Sequence, residues 1–242
     1  MEYLILFIFL ALIAEILGTV GGFGSSVFFI PIAAFFLDFH SVLGITALFH
    51  VSSNLTKIAL FRNGFDKTLI LYMGIPATIS VLIGAYYSKF MISDSLEIAL
   101  AVFLIVMSLV FLIFKSFSIK PTKKNSVIGG VLSGGIAGLL GTGGAIRGMT
   151  LSSFKLRPEI FIATSAIIDL GVDSGRAVVY WSNGYVHQHD LYLIPLLIIA
   201  SILGTYIGKK LLNKISESNF RIIVLVLILI TAVSSIIKVL AN

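Results

Sequence analysis

Long stretches without Asp, Glu, Lys or Arg recur along the whole chain. They cover residues 16–37, 68–88, 98–114, 125–146, 191–208 and 222–237. A helix that rises about 1.5 Å per residue needs about 20 apolar residues to cross a hydrocarbon core of roughly 30 Å. Strict alternation of apolar and polar residues is absent, and 58% of the 242 residues are hydrophobic. The sequence therefore predicts an all-α integral membrane protein.

The charged and metal-binding residue types narrow the function further. A net charge of +6 suggests nucleic-acid binding in a soluble protein, but in a membrane protein Lys and Arg mark the cytoplasmic face, so no nucleic-acid partner is predicted. No cysteine is present, which excludes thiolate metal sites. His187 and His189 form a pair, yet no third ligand is evident. We therefore expect neither a metal site nor a cofactor.

The sequence contains an internal repeat. A shift of 119 or 120 positions places one half on the other, with matching hydropathy around the shared residues. The matches are Gly21 with Gly141, Gly24 with Gly144, Ala47 with Ala166, Asn63-Gly64 with Asn183-Gly184, Pro76 with Pro195, and Gly84 with Gly204. They predict two homologous membrane repeats, residues 1–119 and 120–242, within one transmembrane domain.

Each half begins with an apolar segment that glycines interrupt. The segments are residues 3–37, with "GTVGGFGSS" at 18–26, and residues 127–155, with "GLLGTGGAI" at 138–146. A continuous helix over 3–37 would measure about 52 Å, whereas two arms of about 15 residues are each too short to cross. We therefore predict a re-entrant helical hairpin in each half. Three transmembrane helices follow each hairpin, at 40–61, 68–89 and 95–115, and at 158–181, 190–209 and 219–238.

The distribution of basic residues supports this topology. If each hairpin enters and leaves on one side, twelve of the 17 basic residues share one face. They are Arg62, Lys67, Lys115, Lys120, Lys123, Lys124, Lys155, Arg157, Lys209, Lys210, Lys214 and Arg221. By the positive-inside rule this face is cytoplasmic, so the N-terminus is extracytoplasmic and the protein is predicted to lie in the inner (plasma) membrane. Three crossings per half give the repeats opposite orientations, as in secondary transporters.

The paired glycine motifs resemble those of a known family. "GTVGGFGSSVFFIP", "GLLGTGGAIRGMTL", the "ATSA" at 163–166 and the repeated Asn-Gly loops resemble the TauE/SafE family, the sulfite exporters, over essentially the whole chain. This resemblance implies secondary transport of sulfite, organosulfonates or other small anions. The first motif departs from the usual run of glycines, because Ser25 and Ser26 follow Gly24.

Two groups of residues are candidates for the function. Glycine-rich helix breaks free backbone N–H groups that can face an anion, and a nearby guanidinium would add charge. His50, Asn54 and Lys57 share one helical face, and the repeat maps them onto Asp169, Asp173 and Arg176. The predicted substrate-binding residues are Gly21, Gly22, Gly24, Ser25, Gly141, Gly143, Gly144, Arg147, His50 and Asn54. The predicted coupling and gating residues are Asp169, Asp173, Lys57, Arg176 and Glu15, with Glu15 near Arg147.

Several functions fit these residues. We predict a secondary active transporter of small anions, coupled to protons or another ion, with alternating access around a midplane site between the hairpin tips. A passive anion channel would use the same cationic lining. An intramembrane enzyme is less favoured, because no nucleophile motif accompanies the polar residues. The alternative for the polar stripes is a structural network between helices. Two chains could also associate as a homodimer.

Overall fold

The computed structural model describes residues 2–22, 24–114, 119–212 and 217–241, and every element in these ranges is helical. The helices are α1 Glu2–Gly21, α2 Ser26–Ala33, α3 Phe39–Leu60, α4 Lys67–Leu69, α5 Ile75–Ser88, α6 Ser93–Ile113, α7 Lys123–Leu140, α8 Gly144–Ser152, α9 Pro158–Ser182, α10 Leu193–Leu212 and α11 Glu217–Ala241. A π-helical turn, Ile70–Gly74, joins α4 to α5, and a 3₁₀ turn, Gln188–Asp190, precedes α10. Every predicted crossing coincides with a helix, with ends displaced by three residues or fewer.

The helix ends follow from local sequence. The Asp38 carboxylate accepts a hydrogen bond from the backbone N–H of Ser41 at the start of α3, and Thr122 caps α7 in the same way. Such caps satisfy N–H groups that have no partner within the helix.

The start of α5 is shaped by a proline. Pro76 has no backbone N–H to donate, and the π-helical turn lies directly before it. A proline disturbs the preceding turn of a helix, which accounts for the local widening.

The two glycine-interrupted segments each form a long helix, a break and a short helix. The first arms, α1 and α7, have 20 and 18 residues, and the second arms, α2 and α8, have 8 and 9. The expectation of equal arms of about 15 residues is therefore wrong. The first arms end late because the backbone at the breaks becomes left-handed only where the chain reaches Gly22, Gly24 and Gly141, among the described residues of the two breaks. As a result, α1 alone is long enough to cross a membrane.

The arms of each segment run antiparallel. The ring of Phe7 in α1 lies 5.2 Å from the ring of Phe36, which follows α2. In the second segment, a Cβ added to Gly129 in α7 would lie 2.4 Å from Thr150 Oγ1 in α8. The first and last residues of each segment therefore lie near the same end of the bundle, and the break lies far from that end.

The helices pack in a small set of pairs. The most extensive contacts join α5 with α7, α1 with α10, α3 with α9, and α6 with α11, and further contacts join α3 with α10 and α5 with α9. The repeat places α1, α3, α5 and α6 on α7, α9, α10 and α11. With each helix replaced by its counterpart, the α5–α7 pair becomes α10–α1 and the α3–α10 pair becomes α9–α5, while α3–α9 and α6–α11 are unchanged. The pair formed by α3 and α9 lies at the centre and brings their polar faces together.

The loops gather at two ends of the bundle. At one end Ser41 contacts His187, and His40 contacts Ser93. At the other end the Asp66 N–H donates to Thr164, and Lys209 donates to the carbonyl of Leu60. The first end carries Asp38 and Asp190, and the second carries Arg62 and Lys209. Lys115, Lys214 and the side chain of Arg221 lie outside the described residues.

Four helical stretches in the described part of the chain are long and apolar enough to cross a membrane. They are Tyr3–Gly21, Lys67–Ser88, Ser93–Ile113 and Leu193–Leu212. Helices α3 and α9 have 22 and 25 residues, but their middle turns carry polar side chains that are buried in the bundle. Ionisable residues at membrane depth usually mark a functional path or site.

We expect Gly84→Val to destabilise the fold. A Cβ at Gly84 would lie 2.2 Å from the carbonyl oxygen of Gly135 and 3.0 Å from the Leu139 nitrogen, so α5 and α7 would have to separate. Overpacking of this kind costs about 1 to 3 kcal/mol. Thermal unfolding in detergent measures the effect, with Ile83→Val at a 55% exposed neighbour as the control. Equal melting temperatures for Gly84→Val and wild type would contradict the close packing.

Candidate functional site

The two helix breaks meet the middle of α3 and α9 at a buried polar cavity. The space in it that the centre of a water molecule can occupy is about 20 Å³. The predicted site residues in its lining are Gly24, Ser25, His50, Asn54, Lys57, Gly141, Gly143, Arg147, Asp169, Asp173 and Arg176. Gly22 lines an adjoining pocket. Gly21 ends α1 and Gly144 begins α8, so both lie beside the breaks. The Glu15 carboxylate accepts a hydrogen bond from Ser25, one of the lining residues.

The first break turns through Gly22 and Gly24, whose φ angles are 72° and 83°. Side chains rarely adopt this left-handed region, so the sequence needs glycine at both positions. A Cβ at Gly24 would lie 3.3 Å from Arg147 Nη2, which places the backbone of the first break beside the arginine of the second. The hydroxyls of Ser26 and Thr142 also join the two breaks, at 2.9 Å.

The second break ends α7 at Gly141, with φ of 82°. Gly143 precedes α8 and lines the cavity. A Cβ there would lie 2.0 Å from the carbonyl oxygen of Ser133 in α7, so packing between α7 and the break requires glycine at this position. Its contact with a ligand stays a prediction. A bulky residue at this position would disturb the fold before it disturbed binding.

The polar stripes of α3 and α9 face each other. Asn54, whose repeat counterpart is Asp173, donates to the Asp173 carboxylate at 2.7 Å. Arg176 donates to the same carboxylate at 2.7 Å and to the carbonyl of Gly141 at the second break. Arg176 Nη2 also lies 3.3 Å from His50 Nδ1. Through these contacts with Asn54, Gly141 and His50, Arg176 and Asp173 hold α3, α9 and the second break together.

A second ion pair is formed by Arg147 and Asp169. Their side chains are in direct contact, and Arg147 Nε donates to Ser165 at 2.9 Å. The Asp169 side chain is 14% exposed, against 7% for Asp173 and 0% for Glu15. Asp169 is therefore the most accessible carboxylate of the three, and its partner lies beside the backbone of both breaks.

The third pair joins Lys57 to Glu15, at 2.8 Å. Glu15 was predicted to lie near Arg147, but its ion-pair partner is Lys57, because α1 packs on α10 and its Glu15 carboxylate reaches Ser53 and Lys57 of α3. The Glu15 carboxylate also accepts hydrogen bonds from Ser25 and Ser53, both at 2.6 Å, and from Thr205 at 2.9 Å. Such a fully bonded carboxylate is well stabilised without water.

Hydroxyl groups extend this network to His50. Ser25 Oγ, which donates to Glu15, lies 3.1 Å from His50 Nε2. A continuous polar path therefore runs from the Lys57–Glu15 pair through Ser25 and His50 to Arg176. Three cations and three carboxylates balance one another around the cavity, so the site is neutral overall when all six are ionised and His50 is not.

A second pocket adjoins the cavity on one side, and stacked aromatic rings lie on the other. An adjoining pocket reaches from Arg147 and Asp169 to Phe161 and Ile162, near the start of α9. Toward the other end, Tyr180 donates to the Gly138 carbonyl at 2.7 Å and stacks on Tyr185, with ring centroids 5.4 Å apart. His40 in turn stacks on Tyr185 at 4.3 Å. These stacked rings separate the cavity from the loops at that end.

Comparison with protein families decides the identity of the chain. The model of the sulfite exporter TauE/SafE family matches residues 7–235. The chain belongs to the TauE/SafE family. Comparison with curated proteins and with solved structures gives no match. The family match spans both helix breaks and both polar helices, and it supports a multi-pass membrane transporter of small anions.

Several hydroxyl groups that bond to Arg147 and Glu15 in this TauE/SafE chain were not predicted from the sequence. Ser165 binds Arg147, and Ser53, Thr19 and Thr205 bind Glu15. Ser53 lies one turn before Lys57 and Thr19 one turn after Glu15, so helical spacing could have identified both. Thr205 lies on a different helix, and no local pattern links it to Glu15.

Proposed function

We propose that this TauE/SafE chain is a secondary active transporter that moves a small anion, such as sulfite or an organosulfonate, together with a proton. The observation that carries the proposal is the Arg147–Asp169 pair, which lies at the contact of the two helix breaks and lines both pockets. A guanidinium beside freed backbone N–H groups is well suited to an oxyanion.

The charge balance of the cavity provides the coupling. An anion that binds Arg147 competes with Asp169 and leaves this carboxylate without its partner. An unpaired carboxylate in a buried site is more stable when it is protonated. One monoanion and one proton then enter together, and the total charge of the cavity stays unchanged. The two other ion pairs, Lys57 with Glu15 and Arg176 with Asp173, keep the framework fixed while this exchange occurs.

Alternating access follows from two inverted repeats. The symmetric helix pairs and the antiparallel arms of both broken segments support this arrangement. In this interpretation the pocket near Phe161 and Ile162 opens to the cytoplasm, and Tyr180 and Tyr185 close the extracytoplasmic side. Rocking of one repeat against the other would reverse the opening around the same site.

Binding measurements test the proposed site and identify its anion. We would add sulfite, sulfoacetate, taurine and small carboxylates to purified protein and record thermal stability, followed by calorimetry. A ligand that binds only the folded state raises the melting temperature. We expect at least one anion to stabilise the protein. If none of the anions stabilises it or gives binding heat, the proposed substrate class is wrong.

The topology gives a separate prediction. Lys124 and Asp38 are both exposed, at opposite ends of the bundle. Because the chain has no cysteine, Lys124→Cys and Asp38→Cys each supply a single reactive thiol. We expect an impermeant maleimide to label position 38 in intact cells and position 124 only in inside-out membranes. Labelling of both from the same side would contradict the inverted repeat.

A further inference from the structure

A second polar cluster lies in the loop between α9 and α10, beyond the Tyr180 and Tyr185 rings. His187, His189 and Asp190 each present one ligand atom, and these atoms all lie within 4.8 Å of one another. No metal site was expected from the sequence, because no third ligand was evident beside the two histidines. The 3₁₀ turn Gln188–Asp190 supplies that ligand, since it brings Asp190 against both histidines.

The ligand atoms of the three side chains lie close to one another. Asp190 Oδ2 lies 3.7 Å from His187 Nδ1, and Asp190 Oδ1 lies 3.5 Å from His189 Nε2. The two imidazole rings are nearly parallel, at 10°, with centroids 5.2 Å apart. Ligand atoms about 2.0 to 2.2 Å from a tetrahedral zinc ion lie roughly 3.3 to 3.6 Å from one another, so the two Asp190–histidine distances are already close to those of a zinc site.

The Asp190 carboxylate provides an independent observation. This residue is only 2% exposed, yet Oδ2 has no hydrogen-bond partner among the described residues. Buried polar atoms are nearly always bonded, and an unbonded one calls for an explanation such as an ion. The unbonded oxygen is the one nearest to His187.

A residue of α3 holds the His187 ring in place. Ser41 Oγ lies 2.7 Å from His187 Nδ1, and the same ring atom lies 3.7 Å from Asp190 Oδ2. The α3 hydroxyl therefore fixes the ring with Nδ1 toward the cluster.

We propose that His187, His189 and Asp190 bind a divalent transition-metal ion, with Zn²⁺ as the representative ion and water completing the coordination. Two imidazoles and one carboxylate suit zinc, copper or nickel, and do not suit magnesium or calcium. The bound ion ties the α9–α10 loop to the start of α3 through Ser41. It therefore stabilises the end of the bundle that the stacked rings close. This site does not depend on the proposed anion coupling.

Zinc binding tests the site directly. We would remove any histidine tag, titrate Zn²⁺ into purified full-length protein by calorimetry, and determine bound metal by mass spectrometry. We expect about one ion per chain, as in protein zinc sites with a fixed ligand set. His189→Ala removes a 75% exposed side chain without disturbing the core, and it should lower the affinity by more than about tenfold.

The matched control is Gln188→Ala, an exposed neighbour within the same turn. It should bind zinc like the wild type. Co²⁺ absorption gives a second measurement, because its visible bands report inner-sphere nitrogen ligands and should weaken in His187→Ala and His189→Ala. Absence of zinc binding by the wild type, or the same affinity in His189→Ala and Gln188→Ala, would overturn the proposal.

Discussion

Replacing Arg147 with alanine is expected to weaken anion binding by the folded protein about tenfold to 150-fold. The guanidinium lies beside the backbone of the first break and follows the second break by one turn, and loss of one charge-assisted hydrogen bond costs roughly 1.5 to 3 kcal/mol. Arg147→Lys keeps the charge but loses the planar fork, so it should bind with intermediate affinity. Calorimetry with the anion found in the binding screen measures all three proteins.

The controls for this experiment follow from the ion pair. Arg147→Ala leaves Asp169 buried without a partner, which destabilises the protein by itself. The double substitution Arg147→Ala, Asp169→Asn removes both charges and should recover stability but not binding. Arg157→Ala removes an exposed arginine near the start of α9 and should leave both unchanged. Wild-type affinity in the double variant would place the anion elsewhere, along the His50 and Asp173 stripes.

The second large effect is expected from Asp169→Asn. Asparagine keeps the size of the side chain but cannot take up a proton, so proton-driven accumulation should be lost. Exchange of one anion for another needs no net proton movement and should remain. Uptake of labelled anion would be measured in proteoliposomes that contain the variant. One assay imposes a pH gradient, and the other has unlabelled anion inside for exchange.

Asp173→Asn is the matched comparison. Asp173 accepts from both Asn54 and Arg176, so its replacement breaks a buried pair that holds three elements together. Removal of one partner of a buried pair costs about 3 to 5 kcal/mol, and we expect a lower melting temperature rather than selective loss of coupling. If Asp169→Asn accumulates anion against its gradient as the wild type does, Asp169 is structural and another group carries the proton.

The helices could be predicted from the sequence because they depend on local properties. Apolar length fixes where each crossing lies, and caps such as Asp38 and Thr122 fix where helices begin. The glycine motifs correctly located both helix breaks. They did not give the arm lengths, because a helix continues until a residue such as Gly22 or Gly141 adopts left-handed backbone.

The side-chain partners in the cavity could be predicted only in part. Helical spacing placed His50, Asn54 and Lys57 on one face, and the repeat indicated Asp173 as the counterpart of Asn54. It did not indicate that Asn54 and Asp173 bond directly, nor that Glu15 pairs with Lys57. Those contacts depend on how α1, α3 and α9 cross, which the packing of distant helices determines.

Uphill transport in proteoliposomes is the most direct test of proton-coupled anion transport. Wild-type protein would be reconstituted with equal concentrations of labelled anion on both sides, and an inwardly directed proton gradient would then be imposed with the membrane voltage clamped to zero. The charge balance of the Arg147–Asp169 pair predicts that the anion accumulates inside above its external concentration, without net current for a monoanion. If the anion shows no net movement under this gradient, and a voltage alone drives it across as a current, the protein is a passive channel and the proposed coupling is wrong.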